Sequence, residues 1–177
     1  NTPSRVEDLK KAVEEDKAGR AAEVKEEIDF ALSCASFADR VVKGLEDGSI
    51  PLRVTHNDTK INNILFDKDT RKAICVIDLD TVMPGSALYD FGDALRMGAS
   101  TAAEDEVNLD TVNFDEKAFE GFARGYLSEM KDSLTKTEIE LLPFSAKLLT
   151  YECGIRFLTD YLNGDTYFKI HREKHNL

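Results

Sequence analysis

No stretch of this sequence is basic enough to follow a nucleic-acid backbone. Its 34 acidic residues outnumber 23 basic ones, the formal charge is −11, and no local stripe of Lys and Arg offsets the excess. A nucleic-acid partner is not expected, and small-molecule chemistry is the better expectation. Cysteine is scarce too. Cys34, Cys75 and Cys153 lie far apart, each beside apolar residues and none at metal-ligand spacing, so they read as buried thiols in a reducing compartment, the cytoplasm. No apolar run reaches the roughly 20 residues of a membrane span, and no charged-then-apolar leader opens the chain. The start at Asn1 and the ending "EKHNL" read as a fragment or a processed chain.

What is present suits a single domain over residues 1–177, or a large piece of a bigger one: 42% of the residues are hydrophobic, enough for a core. Residues 1–50 read as helical. Val24, Ile28, Leu32, Ala35, Ala38, Val42 and Leu45 recur at helical spacing, after a shorter helix broken near Gly19. Gly48 and Pro51 end that segment. Residues 52–83 carry two short apolar runs, "NILF" from Asn63 and "AICVI" from Ala73, separated by "DKDTRK", which predict a hairpin. Pro84 and Gly85 read as a turn, and residues 86–177 as helical. Phe119, Phe122, Tyr126 and Met130 share one predicted helix face, the first three as core, and "TKTE" from Thr135 has capping-box spacing before a long segment that Pro143 kinks or splits. The fold class expected is α+β and predominantly helical.

The chemistry is concentrated in "THNDTKINNILFD", Thr55 to Asp67. An antiparallel hairpin brings Asn63, at the start of its first strand, to the same end as Asp78, which follows the second strand. Residues directly opposite on paired strands have Cα atoms roughly 4.5–5.5 Å apart, close enough for an oxygen from each to reach one hard cation such as magnesium. Asp58 lies five residues before Asn63, on the loop entering this corner, and Asp78 lies twenty after Asp58. This spacing matches the phosphoryl-transfer template of kinases, in which a loop Asp accepts the hydroxyl proton while an Asn and a second Asp hold metal on the nucleotide.

On these residues, and on "VIDLDTVMPGSALYDFGDALR" and "YECGIRFLTDYLNGDTYF", the sequence resembles the kinase-like phosphotransferase family that includes aminoglycoside phosphotransferases and choline kinases, and is most similar to its N-acetylhexosamine 1-kinase branch. The resemblance implies the C-terminal lobe of a protein-kinase-like fold, with the hairpin carrying the metal site. It implies Mg and ATP as cofactors and phosphorylation of the anomeric hydroxyl of an N-acetylhexosamine. Carried over, Asp58 is the base, Asn63 and Asp78 the metal ligands, and Lys60 a lysine that reaches the transferring phosphate or an exposed loop residue. His56 is a structural loop residue. Arg156 and Tyr167 help bind the sugar on this reading, although Glu152, Arg156 and Asp160 at i, i+4, i+8 also suit an intrahelical ion-pair ladder. Asp80 approaches the metal from outside its ligand set or simply ends the strand.

Asp90-Phe91-Gly92 reproduces the tripeptide that marks the metal-binding Asp of protein kinases, but it stands 32 residues after Asp58 with no apolar strand before it. Asp90 and Asp93 are therefore read as a helix cap and a buried carboxylate bracing the catalytic-loop backbone; for Asp90 the resemblance favours the bracing role, and plain capping accounts for it almost as well. No "VAIK"-like lysine strand or Gly-rich loop precedes His56. The nucleotide lobe is expected upstream, as the missing partner of this one, and residues 1–177 alone are expected to be inactive. Competing readings are a kinase of an amino alcohol or aminoglycoside, a pseudokinase or binding module, and a metal-dependent hydrolase using Asp58, Asp78 and Asp80.

Overall fold

In a computed structural model, which describes residues 1–177, the chain forms two compact units. One comprises Asn1–Lys43 with Thr150–Leu177, and the other Gly44–Leu149. No helix is long and apolar enough to cross a membrane.

In the first unit, α1 (Thr2–Glu15) starts at Asn1, whose Oδ1 accepts the Ser4 amide, with Pro3 in the first turn where a missing N–H costs nothing. Val6, Leu9 and Ala12 form its buried stripe, and they join Val24, Ile28, Ala31, Ala38, Ile155, Leu158, Tyr161 and Leu162 in one core. The single helix expected from Val24 to Leu45 is instead broken into α2 (Lys25–Ser33), a 3-10 turn at Cys34–Phe37, and α3 (Arg40–Glu46). Ser33 Oγ donates to the Phe30 carbonyl at 2.7 Å, a local bond of the kind that bends helices. Cys34 and Cys153 are half-buried and Cys75 is exposed, which corrects the expectation of three buried thiols.

The second unit holds two two-stranded antiparallel sheets. The expected hairpin forms from β2 (Ile64–Phe66) and β3 (Ala73–Val76), in the register Ile64↔Val76 and Leu65↔Cys75. The other sheet was not foreseen. β1 (Arg53–Thr55) pairs with β4 (Met83–Gly85), opposing Val54 to Pro84 and Arg53 to Gly85. The supposed Pro-Gly turn is thus a strand in a two-stranded sheet, where every strand is an edge and a proline is tolerated.

Ser86 then caps α4 (Ala87–Gly98) by accepting the Leu88 amide. Leu88, Phe91 and Leu95 are its large buried residues, and the buried Gly92 brings the helix against the backbone at Ser145: a Cβ there would lie 2.4 Å from the Ser145 carbonyl oxygen. In α5 (Glu116–Met130) nothing is fully buried. Phe119, Phe122 and Tyr126 are therefore flanking residues rather than core, Phe122 and Tyr126 packing on Phe91 with ring centroids 5.5 and 5.0 Å away.

Helix α6 (Lys136–Leu162) runs unbroken past Pro143. Its start is the reciprocal capping box the sequence announces: Thr135 Oγ1 accepts the Glu138 amide, and Glu138 Oε2 accepts the Thr135 amide.

Candidate active site

The loop from His56 to Lys60 is fixed by carboxylates at the start of α4. Asp90 accepts the His56 and Asn57 amides, one on each oxygen, both at 2.8 Å, and Asp93 Oδ2 accepts the Thr59 amide at 2.9 Å. Since Ser86 is the helix cap, Asp90 is free for this bracing. His56 Nε2 donates to the Ile77 carbonyl at 3.0 Å, so the imidazole spans from the loop to the end of β3. Its Nδ1 is buried without a partner.

This bracing holds Asp58 where its Oδ2 accepts both Lys60 Nζ at 2.7 Å and Asn63 Nδ2 at 2.9 Å. Burial pushes the Asp58 carboxyl upward, but the Lys60 and Asn63 hydrogen bonds outweigh it and leave the pKa below the ordinary value. Asp58 is therefore an ionised carboxylate at neutral pH. The bond to Asp58, with Asp78 and Asp93 near by, raises the Lys60 pKa in turn.

Asn63 is buried in a 3-10 turn just before β2, and its Nδ2 also donates to the Asp58 carbonyl at 2.8 Å. With the amide nitrogen spent on Asp58, its oxygen is the end available to a ligand. Asn63 and Asp78 lie at the same end of the hairpin as the sequence predicts, Asp78 directly following Ile77, whose amide donates to the Asn63 carbonyl at 2.9 Å. Asp78 itself has φ 63°, a left-handed conformation that Asp tolerates better than most residues. Its pKa is raised, first by the neighbouring Asp80 carboxylate. Two like charges side by side are a repulsion that a cation would relieve. No group of three or more His, Cys, Asp or Glu converges to hold a metal, but magnesium needs only one or two carboxylates and completes its octahedron with water and phosphate.

Arg156 and Tyr167 come together in the first unit. The guanidinium lies 5.9 Å from the Tyr167 ring centroid and 5.4 Å from that of Phe168. These three residues, with Thr159, Asn163 and Thr166, line a cavity of about 150 Å³. The ion-pair ladder does not form. Asp160 is buried and takes the Thr166, Tyr167 and Phe168 amides at 2.8–3.0 Å, while Glu152 accepts the Thr2 hydroxyl. The sequence reading gave Asn57 and Thr81 no role, yet both bond across the site. The one signal for Asn57 is its type: an Asn between His56 and Asp58 is suited to the left-handed turn found there, φ 64°.

The model of the phosphotransferase enzyme family, APH, matches residues 1–130, and the chain belongs to that family. The match includes Asp58, Lys60, Asn63 and Asp78 and stops before Arg156 and Tyr167. Membership makes this a kinase-type phosphotransferase, for which ATP and usually a divalent metal are implied.

Proposed function

We propose that this phosphotransferase moves a phosphoryl group from ATP to a small-molecule hydroxyl, with Asp58 as the base and Asn63 and Asp78 as ligands of Mg²⁺. The observation that carries the reading is the placement of Asp58, whose Oδ2 accepts both Lys60 Nζ and Asn63 Nδ2, beside the hairpin end that carries Asn63 and Asp78.

The chain's own residues divide the work. The Asp58 carboxylate orients the acceptor hydroxyl and takes its proton as the oxygen attacks phosphorus. It needs no raised pKa for this, because phosphoryl transfer runs through a loose transition state that depends on positioning and charge stabilisation. Lys60 supplies positive charge beside Asp58 that the transferring phosphoryl group can share. Asn63 and Asp78 would hold the metal, with Asp80 adding negative charge beside them. When bound, Mg²⁺ supplies charge neutralisation on the phosphate oxygens.

The acceptor we propose is the anomeric hydroxyl of an N-acetylhexosamine, bound in part by Arg156 and Tyr167. In support, these two residues line one small cavity with Thr159, Asn163 and Thr166 and with the charged Arg5, Asp8 and Asp160. A guanidinium, an aromatic ring, hydroxyls and an amide suit sugar hydroxyls, an acetamido carbonyl and a pyranose face.

The test is ADP release with Mg²⁺, ATP and a panel of N-acetylhexosamines, plain hexoses, choline and an aminoglycoside, using the chain together with any upstream lobe. Release confined to N-acetylhexosamines, with a higher sugar KM in Arg156→Ala and Tyr167→Ala, is the expected result. Release confined to a cationic alcohol would discard the sugar and the roles of Arg156 and Tyr167. Phosphate release without any acceptor would mark a hydrolase.

A further inference from the structure

We propose that Asn57 is the positioning residue that sets the spacing between Asp58 and the Asp78–Asp80 carboxylates, and that it acts through Thr81. The inference rests on Asp58 as base and Asn63 and Asp78 as metal ligands.

Asn57 directly precedes Asp58, and Thr81 directly follows Asp80. The two segments are clasped reciprocally. Asn57 Nδ2 donates to the Thr81 carbonyl at 3.0 Å, and Thr81 Oγ1 donates to the His56 carbonyl at 2.6 Å. Each side chain thus holds the other segment's backbone. The clasp is anchored at its base as well, since Asn57 Nδ2 also reaches the Thr55 carbonyl at 3.3 Å and its Oδ1 accepts the Thr55 hydroxyl at 3.1 Å. Thr55 Oγ1 lies 3.0 Å from the Met83 carbonyl in β4.

These bonds separate Asn57 from the other supports of the loop. Asp90 and Asp93 hold residues 56–59 from α4, but neither bonds to residues 79–81. The His56 imidazole reaches only to Ile77, before Asp78. The Asn57–Thr81 pair therefore ties the loop to the turn on the far side of the two carboxylates. If Asn57 were present only to permit φ 64°, glycine would serve equally well. The side chain's bonds are the part glycine cannot supply.

The test compares Asn57→Gly, which keeps the backbone conformation and removes the amide, with the parent protein. Mn²⁺ serves as an oxygen-ligated probe for the magnesium site, its affinity read by electron paramagnetic resonance. Partners that orient metal ligands typically change affinity or activity by about 10- to 100-fold when removed, and Asn57→Gly is expected to weaken Mn²⁺ binding within that range. In the assay of the chain with any upstream lobe, the Mg²⁺ concentration for half-activation should rise while the acceptor KM stays unchanged. Thr81→Val should reproduce the effect and Thr81→Ser should restore parental behaviour, and this pair decides the matter if Asn57→Gly does not fold. Parental Mn²⁺ affinity in Asn57→Gly, or identical behaviour of Thr81→Val and Thr81→Ser, overturns the inference alone. A parent that binds no Mn²⁺ overturns the metal reading and the inference with it.

Discussion

Glu138, fully buried at the start of α6, grips Arg53 of β1 through both carboxylate oxygens, at 2.6 Å to Nε and 2.7 Å to Nη2. The same carboxylate closes the capping box with Thr135. Burial pushes the Glu138 pKa up, but Arg53 and the Thr135 hydrogen bonds outweigh it, so the net value is lowered. A carboxyl with a depressed folded pKa contributes stability above its unfolded value, about 4.3, and loses it as pH falls through the folded value. The thermal midpoint should therefore drop below about pH 4.3. Removing one partner of a buried pair costs about 3–5 kcal/mol, and Glu138→Ala should fall toward the lower end because Arg53 is 23% exposed. Thermal denaturation across an acid pH series, parent against variant, reads both effects.

Tyr161 gives the opposite pH dependence. Its hydroxyl donates to Glu23 at 2.6 Å, and burial together with that carboxylate pushes its pKa up to about 12. A group whose folded pKa exceeds its unfolded one, about 10 for tyrosine, contributes stability below that value and loses it as pH rises toward the folded one. Tyr161→Phe should remove part of the alkaline loss of stability between pH 10 and about 12. Spectrophotometric titration of tyrosinate alongside thermal melts checks this.

Gly92→Ala should destabilise despite the roughly 1 kcal/mol by which alanine surpasses glycine in a helix. The new Cβ would meet the Ser145 carbonyl oxygen at 2.4 Å, and that oxygen belongs to backbone. Overpacking of this kind costs about 1–3 kcal/mol, so the thermal midpoint should fall while Mn²⁺ affinity stays parental. A loss of metal affinity with no change in melting would mean that Asp90-Phe91-Gly92 belongs to the metal site after all.

The parts of this molecule that sequence discloses are those whose signals are local. The β2–β3 hairpin is announced by two short apolar runs around a polar turn, and the Thr135–Glu138 box by residue types three apart. Through the hairpin, the placing of Asn63 and Asp78 at one end was legible as well. The β1–β4 pairing was not, because it joins residues some thirty apart and its Pro84-Gly85 reads locally as a turn. The α2–α3 break was hidden because apolar periodicity continues straight through Ser33, whose hydroxyl bonds its own helix backbone. Asp160 was misread for a related reason: helical spacing shows which residues are neighbours on α6 but not that a carboxylate will leave them for the amides of Thr166, Tyr167 and Phe168. The clasp between Asn57 and Thr81 is likewise tertiary, and pattern alone could supply only the suitability of Asn for φ 64°.

The most direct test of the central claim is Asp58→Asn, assayed for acceptor-dependent ADP release and for Mg²⁺·ATP binding in the chain with any upstream lobe. Removing a positioned base typically costs about 10²- to 10⁴-fold in rate. A kcat loss of that size is expected with nucleotide affinity close to parental, since Asp58 is proposed to meet the acceptor hydroxyl and not the metal. Turnover near the parental rate, or loss of nucleotide binding in step with activity, would contradict it.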